Sequence, residues 1–199
     1  MKQLKYWALV ACTGLAASCQ SVDEQVAQLK HNQDKYDQHT QSNYNVASVD
    51  HLNLTLNVNF EVKQLEGKAT WHISHLSPNT NEIKFDTRYL DIDSVWVNGV
   101  STHNFALGKA DEVLGSALTI NIDERTDSVS IFYKTLPGAT ALQWLDASQT
   151  LDKKHPFLYT QSQSIYARTW IPCQDGPGIR FTYDATVTTP KGLLALMSA

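Results

Sequence analysis

The residues best suited to chemistry in this chain are its seven histidines, because imidazole can bind metal ions and transfer protons near neutral pH. The sequence contains no H-E-x-x-H motif, in which one face of a helix presents two imidazoles with a glutamate between them. The closest pair, His72 and His75, lies in a segment with strand alternation, where side chains three residues apart point to opposite faces. We therefore expect exposed histidines here and no metal site.

Candidate nucleophiles lack recognisable partners. Ser162 and Ser164 stand outside any G-x-S-x-G turn. Cys173 would need a histidine brought close by the fold to act as a thiol nucleophile, and a small buried apolar role suits it better. The closely spaced carboxylates lie in polar, turn-rich stretches that predict solvated surface: Asp91 with Asp93, and Asp123 with Glu124.

Two glutamines, Gln161 and Gln163, form the least ordinary polar pair. Strand alternation predicts that they share one face with apolar neighbours, namely Phe157, Tyr159 and Ile165. A side-chain amide both donates and accepts hydrogen bonds, which suits it to hold a peptide without adding charge. The pattern alone nevertheless favours a half-exposed strand face over a binding role.

The elements that must position these residues are strands. Apolar residues occupy every second position from Leu52 to Val62, which predicts a long half-buried strand. Glu66-Gly67 predicts a turn, and Ala69, Trp71 and Ile73 continue the alternation in a returning arm. Further short strands are predicted around Ile83 and Phe85, Val95 and Val97, Leu118 to Ile122, Val129 to Tyr133, and Phe181 to Val187.

Turn residues separate these strands. Asn98-Gly99 and the run Asp175-Gly176-Pro177-Gly178 predict tight turns. Turns spaced about ten residues apart predict stacked antiparallel sheets, and hence an all-β fold. The apolar run at 193–199 predicts one more strand, cut short at the end of the sequence.

The first 18 residues have the composition of a signal peptide. Lys2 and Lys5 precede an apolar core that is too short to span a bilayer. The small residues before Cys19 resemble a bacterial lipobox, which predicts a lipid-anchored Cys19 in the cell envelope, on the periplasmic side or the cell surface. Cys12 offers a rival lipobox, and ordinary secretory cleavage without a lipid is the other alternative.

Composition sets further limits on partners. Residues 19–43 are polar and predict a solvated tether, so the folded domain is expected at residues 44–199. The net charge of −4 becomes −6 once Lys2 and Lys5 are removed, and such a chain lacks the basic surface that nucleic acid requires. Cys19 and Cys173 alone remain after cleavage, which excludes a disulfide framework.

Several segments from Val46 to Ala199 carry a family resemblance. They are Ala141-Leu142-Gln143-Trp144-Leu145, the run from His155 to Arg168, Pro172-Cys173-Gln174-Asp175 followed by Pro177, and Pro190-Lys191 leading into Ala195-Leu196-Met197-Ser198-Ala199. Together they resemble the N-terminal domain of peptidase family M1, nearest its leukotriene A(4) hydrolase branch. The resemblance implies a saddle of stacked, mostly antiparallel sheets packed against a catalytic domain of the same parent chain.

The resemblance also implies a function. The parent would be an exported zinc aminopeptidase that removes N-terminal residues from peptides, with its zinc ligands in later domains and no zinc bound by these 199 residues. It implies that Gln163 and Ser164 bind the N-terminal residue of a peptide substrate, with Gln161 as support. Family members often carry Cys or Ala near this pair, where Ser162 and Ser164 make the lining more polar here.

A second interpretation treats the chain as a lipid-anchored β-sandwich binding module without catalysis. The reading frame after Ala199 discriminates between the two, because only an aminopeptidase requires an H-E-x-x-H motif downstream.

Overall fold

The computed structural model describes residues 37–198. The chain divides after Gln38, and the fold below is that of the unit His39–Ala199. The predicted signal peptide, Cys12, Cys19 and most of the predicted tether lie outside the described residues. Neither of the two 3-10 helices in the described part, Ala147–Gln149 and Ala167–Thr169, is long and apolar enough to cross a membrane.

The described residues form eleven strands, and the all-β prediction is confirmed. They are β1 (Ala47–Asn59), β2 (Gln64–Leu76), β3 (Glu82–Thr87), β4 (Leu90–Val97), β5 (Val100–Thr102), β6 (Phe105–Leu107), β7 (Ser116–Asn121), β8 (Ser128–Thr135), β9 (Leu142–Leu145), β10 (Phe157–Thr160) and β11 (Thr182–Thr188).

Three sheets are built from these strands. The largest has the order β11-β1-β2-β8-β4-β5, the second has the order β3-β7-β6, and β9 pairs with β10 alone. The pairings are antiparallel except that of β1 with β11, which is parallel. The predicted antiparallel character therefore holds for all but one edge of the largest sheet.

The core follows from strand alternation. In β1 the apolar residues from Leu52 to Val58 are buried, while Thr55 and Asn57 between them are exposed. The burial of alternate residues on two facing sheets stabilises their stacking, because each sheet hides one apolar face from water. Trp71 of β2 and Phe85 of β3 meet in this layer with stacked rings 6.0 Å apart, and Trp71 donates its indole N–H to Pro172 O at 2.8 Å.

The turn predicted at Glu66-Gly67 is wrong, since both residues lie inside β2. The chain reverses earlier, at residues 60–63, where Asn59 Oδ1 accepts hydrogen bonds from the backbone N–H groups of Glu61 and Val62. Gly67 is required for a different reason, because a Cβ atom there would lie 1.9 Å from Thr55 O on the neighbouring strand.

The strand predicted at 193–199 is also absent from 193–198. Here the chain turns after Pro190: Leu193 N–H donates to Pro190 O at 3.1 Å, and Thr189 Oγ1 donates to Leu193 O at 2.9 Å. Gly192 makes this turn possible with a φ of 90°. No strand follows this turn in the part of the chain that the structure describes.

The last residues assigned to the tether pack against the domain. Thr40 and Ser42 are buried, and Asn43 bonds to the backbone of Glu82 and Lys84 in β3. The packed part of the chain therefore begins before Tyr44, because β3 offers polar partners to residues that composition alone marks as solvated.

Candidate functional site

The candidate site lies in a loop at the end of the β9–β10 hairpin. The two strands pair from Phe157 opposite Leu145 to Thr160 opposite Leu142, and Gln161 N–H donates to Ala141 O at 2.9 Å just beyond. The ladder stops there because the chain before Ala141 turns back at Leu136–Ala139 and offers no further strand. We call residues 161–166 the site loop.

The prediction that Gln161, Gln163 and Ile165 share a strand face with Phe157 and Tyr159 is therefore wrong. β10 ends at Thr160, and the residues that follow form turns in which Tyr166 N–H donates to Ser162 O at 2.9 Å. The glutamines belong to a loop, so their directions are set by turn contacts and not by strand alternation.

The three predicted substrate residues nevertheless lie together on the loop surface. Gln161, Gln163 and Ser164 are all exposed. Gln161 Oε1 accepts a hydrogen bond from Gln163 N–H at 3.0 Å, and the peptide bond between Gln163 and Ser164 is cis. Gln161 thus supports the backbone that carries Gln163, which leaves the carboxamide of Gln163 and the hydroxyl of Ser164 facing solvent.

A buried ionic cluster lies directly after the site loop, and the patterns in the sequence did not predict it. Arg168 is fully buried with Asp86, their Nη1 and Oδ1 atoms 3.5 Å apart, while Arg168 Nε donates to Asp175 Oδ2 at 3.0 Å. Arg168 also donates to three backbone carbonyls, those of His39, Leu114 and Asp175. A buried charge requires this degree of pairing, because desolvation otherwise destabilises the fold.

Asp86 gathers three further donors around the same cluster. Its carboxylate accepts hydrogen bonds from Thr40 Oγ1 and from the backbone N–H groups of Gln41 and Asp175. The cluster therefore joins residues 39–41, strand β3 and the segment 173–175 to the end of the site loop. Asp86 continues the polar alternation of Glu82 and Lys84 in β3, so no local pattern distinguishes it from an exposed residue.

Cys173 has the environment of an inert thiol. It is 2% exposed, as predicted for a small buried apolar residue. Burial raises the pKa of the thiol well above its ordinary value, and the carboxylates of Asp175 and Asp86 add to this shift. Because the thiolate is the reactive form, Cys173 does not offer a nucleophile.

The histidine pair is partly described. His72 is exposed, and its Nε2 atom lies 2.8 Å from Asn53 Nδ2; its ring centroid is 5.5 Å from that of His51 on β1. Among residues 37–198, no group of three His, Cys, Asp or Glu side chains is placed to hold a metal ion. The described residues therefore do not fit a zinc site.

An apolar cavity of about 400 Å³ lies beside the hairpin that carries the site loop. Its walls come from β1, β10 and the segment 193–198, together with Trp170. Several side chains at its rim are strongly exposed: Phe157, Tyr159, Leu194 and Leu196. Clustered exposed apolar residues of this kind are typical of a surface that packs against further protein.

Comparison with known proteins places the chain in a family. Residues 34–198 match the family model described as the peptidase M1 N-terminal domain. The chain is 37% identical over 165 residues to leucine aminopeptidase 2 of Aspergillus oryzae, covering 80% of this chain and 27% of that protein. It is 36% identical over 157 residues to leukotriene A-4 hydrolase of Xenopus laevis, covering 76% of this chain and 26% of the relative.

Solved structures agree with this placement. Yeast LTA4 hydrolase in complex with bestatin superimposes with a TM-score of 0.73 at 36% identity, covering 78% of this chain and 25% of the yeast chain. An M1 zinc metallopeptidase from Deinococcus radiodurans shares the fold with a TM-score of 0.53 at 18% identity, covering 77% of this chain and 37% of the other. The chain spans about a quarter of the length of the curated relatives it matches. Because the family model covers most of the described residues, the chain belongs to the peptidase M1 N-terminal domain family.

Proposed function

We propose that this chain forms one wall of the substrate cleft in a zinc aminopeptidase that removes N-terminal residues from peptides. The observation that carries the proposal is the exposed Gln163 and Ser164 on a supported loop, within a fold shared with yeast LTA4 hydrolase at 36% identity. The described residues offer no ligand set for zinc, so we assign the metal to the catalytic domain of the parent chain.

The loop suits the recognition of a peptide's N-terminal end. The Gln163 carboxamide can accept a hydrogen bond from a substrate ammonium group through Oε1 and donate to a carbonyl through Nε2. The Ser164 hydroxyl can do either. Both groups are neutral, so they can orient the charged amino end of the substrate by hydrogen bonds without adding a counter-charge.

The test is Gln163→Ala in the aminopeptidase that contains this chain. A hydrogen bond to a charged group contributes about 1.5–3 kcal/mol, so we expect kcat/KM for aminoacyl substrates to fall at least about tenfold. Gln143→Ala is the matched control, because Gln143 is an exposed glutamine of the same hairpin, on β9. Unchanged kinetics of Gln163→Ala on several aminoacyl substrates would contradict the assignment.

We also propose that the protein is exported and anchored to a membrane by a lipid on Cys19. The support is the sequence alone: two early lysines, a short apolar core and small residues before Cys19. Cells fed radiolabelled palmitate should label the protein, and Cys19→Ser should abolish the label. A label that persists in Cys19→Ser and disappears in Cys12→Ser would place the lipid on Cys12, and no label in the unaltered protein would contradict the lipid anchor.

A further inference from the structure

The site loop is held from its inner side by a side chain that lies between the two glutamines. Ser162 is partly buried, whereas Gln161 and Gln163 on either side of it are exposed. Its hydroxyl oxygen accepts a hydrogen bond from the indole N–H of Trp170 at 3.1 Å. This contact ties the centre of the loop to a residue outside it.

Trp170, the donor of that hydrogen bond, is restricted in its orientation by packing. The ring is 9% exposed and forms part of the wall of the apolar cavity with Leu56 and Val58 of β1. A large ring packed against core residues has little freedom to reorient, because close packing restricts its rotamers. The indole N–H therefore presents a donor at a fixed place under Ser162.

Thr169 holds both ends of the loop. Its hydroxyl donates to Tyr166 O at 2.8 Å and accepts from Ala141 N–H at 3.0 Å. Ala141 O in turn accepts from Gln161 N–H, at the start of the loop. Thr169 is fully buried. Its hydroxyl contacts Tyr166, the last residue of the loop, directly, and it is linked to Gln161, the first residue, through the backbone of Ala141.

From these contacts we propose that Ser162, Thr169 and Trp170 are positioning residues, which fix the directions of Gln163 and Ser164 before substrate arrives. The inference rests on the proposed function of that pair. Residues already held in the binding geometry lose less conformational freedom when the substrate binds. Loss of these contacts should therefore weaken substrate binding more than it slows the chemical step.

Ser162→Ala in the full chain tests these contacts directly, because it removes the acceptor of the Trp170 indole N–H at a partly exposed position. In a nitrogen–proton NMR spectrum, the indole signal that Trp170→Phe identifies should shift in Ser162→Ala, and the backbone signals of residues 161–166 should broaden. Ser101→Ala, which alters an exposed serine on β5, should leave these signals in place. An unmoved Trp170 indole signal with unchanged loop signals would overturn the proposal.

Kinetics of the parent enzyme give the second measurement. The loss of one neutral hydrogen bond weakens an interaction about threefold to tenfold, so KM should rise by that factor in Ser162→Ala while kcat stays within about twofold. Thr169→Val should give the same split, and Ser101→Ala should leave both constants unchanged. An equal fall of kcat in both variants with KM unchanged would overturn the proposal.

The two measurements separate this inference from the proposed function. An unaltered parent protein without aminopeptidase activity would refute the function, and the NMR result on the full chain would still decide whether Ser162, Thr169 and Trp170 hold the loop. An active parent whose KM does not respond to Ser162→Ala would refute the positioning role alone.

Discussion

Arg168 shows how a single residue joins distant segments of this domain. Its guanidinium group reaches Asp86, Asp175 and the carbonyl of His39, and of these three residues only Asp175 is close to Arg168 in sequence. A buried ion pair of this kind need not add net stability over an apolar pair, but loss of one partner leaves an uncompensated charge. The cluster therefore specifies which segments meet beneath the site loop.

Cys173 lies beside this cluster and leads to a prediction about pH. Burial raises the pKa of its thiol in the folded state above the value of about 8.5 expected for an unfolded chain. Between these two pKa values the folded thiol keeps its proton, whereas the unfolded thiol releases it. The contribution of this group to the free energy of unfolding is therefore fully present below about pH 8.5 and falls as the pH rises further.

The measurement is urea unfolding of the chain and of Cys173→Val between pH 7 and pH 10. We expect the stability of the unaltered chain to fall relative to Cys173→Val by up to about 1.4 kcal/mol per pH unit above pH 8.5. Both proteins retain Tyr133, whose pKa is raised first by burial and then by Cys173, so the part due to burial cancels in the comparison. A constant difference across this pH range would show that the thiol is not protected by burial.

At the scale of elements, the two-stranded sheet of β9 and β10 leads into the site loop, and the β1–β2 turn packs against this sheet. Phe60, in that turn, packs edge-on against Trp144 of β9 with ring centroids 5.3 Å apart. Lys63 in the same turn pairs with Asp146 at 3.1 Å. The aromatic contact contributes more than the exposed ion pair, because solvent screens the charges.

Gly67 gives the prediction that belongs to this scale. A Cβ atom at this position would overlap Thr55 O of β1 at 1.9 Å. The backbones of Gly67 and Thr55 are both held in place by the pairing of β1 with β2, so the two cannot easily move apart. We expect Gly67→Ala to lower the free energy of unfolding by about 3 kcal/mol. Gly178→Ala is the control, because a Cβ there meets nothing within 4 Å, and it should change stability by about 0.5 kcal/mol or less; equal effects in thermal unfolding would contradict the close-approach explanation.

At the scale of the whole molecule, apolar side chains are exposed around the cavity. Leu194 and Leu196 are more than four-fifths exposed and line the same cavity as Phe157 and Tyr159. Such patches bind apolar dyes or other protein surfaces.

The corresponding prediction concerns the double variant Leu194→Gln/Leu196→Gln of the chain. Its binding of an apolar fluorescent dye such as ANS should fall at least about twofold, while its free energy of unfolding should stay within about 0.5 kcal/mol, because exposed side chains contribute little to the core. Leu151→Gln, which alters a fully exposed leucine outside the cavity lining, should leave the dye signal unchanged. Equal dye binding by the double variant and the unaltered chain would show that this surface is not the apolar patch.

Local pattern was sufficient to predict most of the strands. The alternation from Leu52 to Val62 predicted β1, although the strand ends at Asn59 and Phe60 and Val62 lie in the turn that follows. Single apolar pairs such as Ile83 with Phe85 predicted the short strands. This works because the side-chain period of a strand is a local property of the backbone. The resemblance of whole segments added the family, which the matched residues 34–198 confirm.

Local patterns and the resemblance of short segments were therefore enough to predict the all-β class and the family, and they singled out the glutamine pair of the proposed site, since each rests on residues close together in the chain. Only the tertiary structure decided that β10 ends at Thr160, that Gly67 serves a close approach and that Arg168 meets Asp86. Where a strand ends depends on whether its partner continues, and which charges meet depends on segments that the chain brings together from far apart. These facts belong to pairings across the fold, which no local pattern of residues contains.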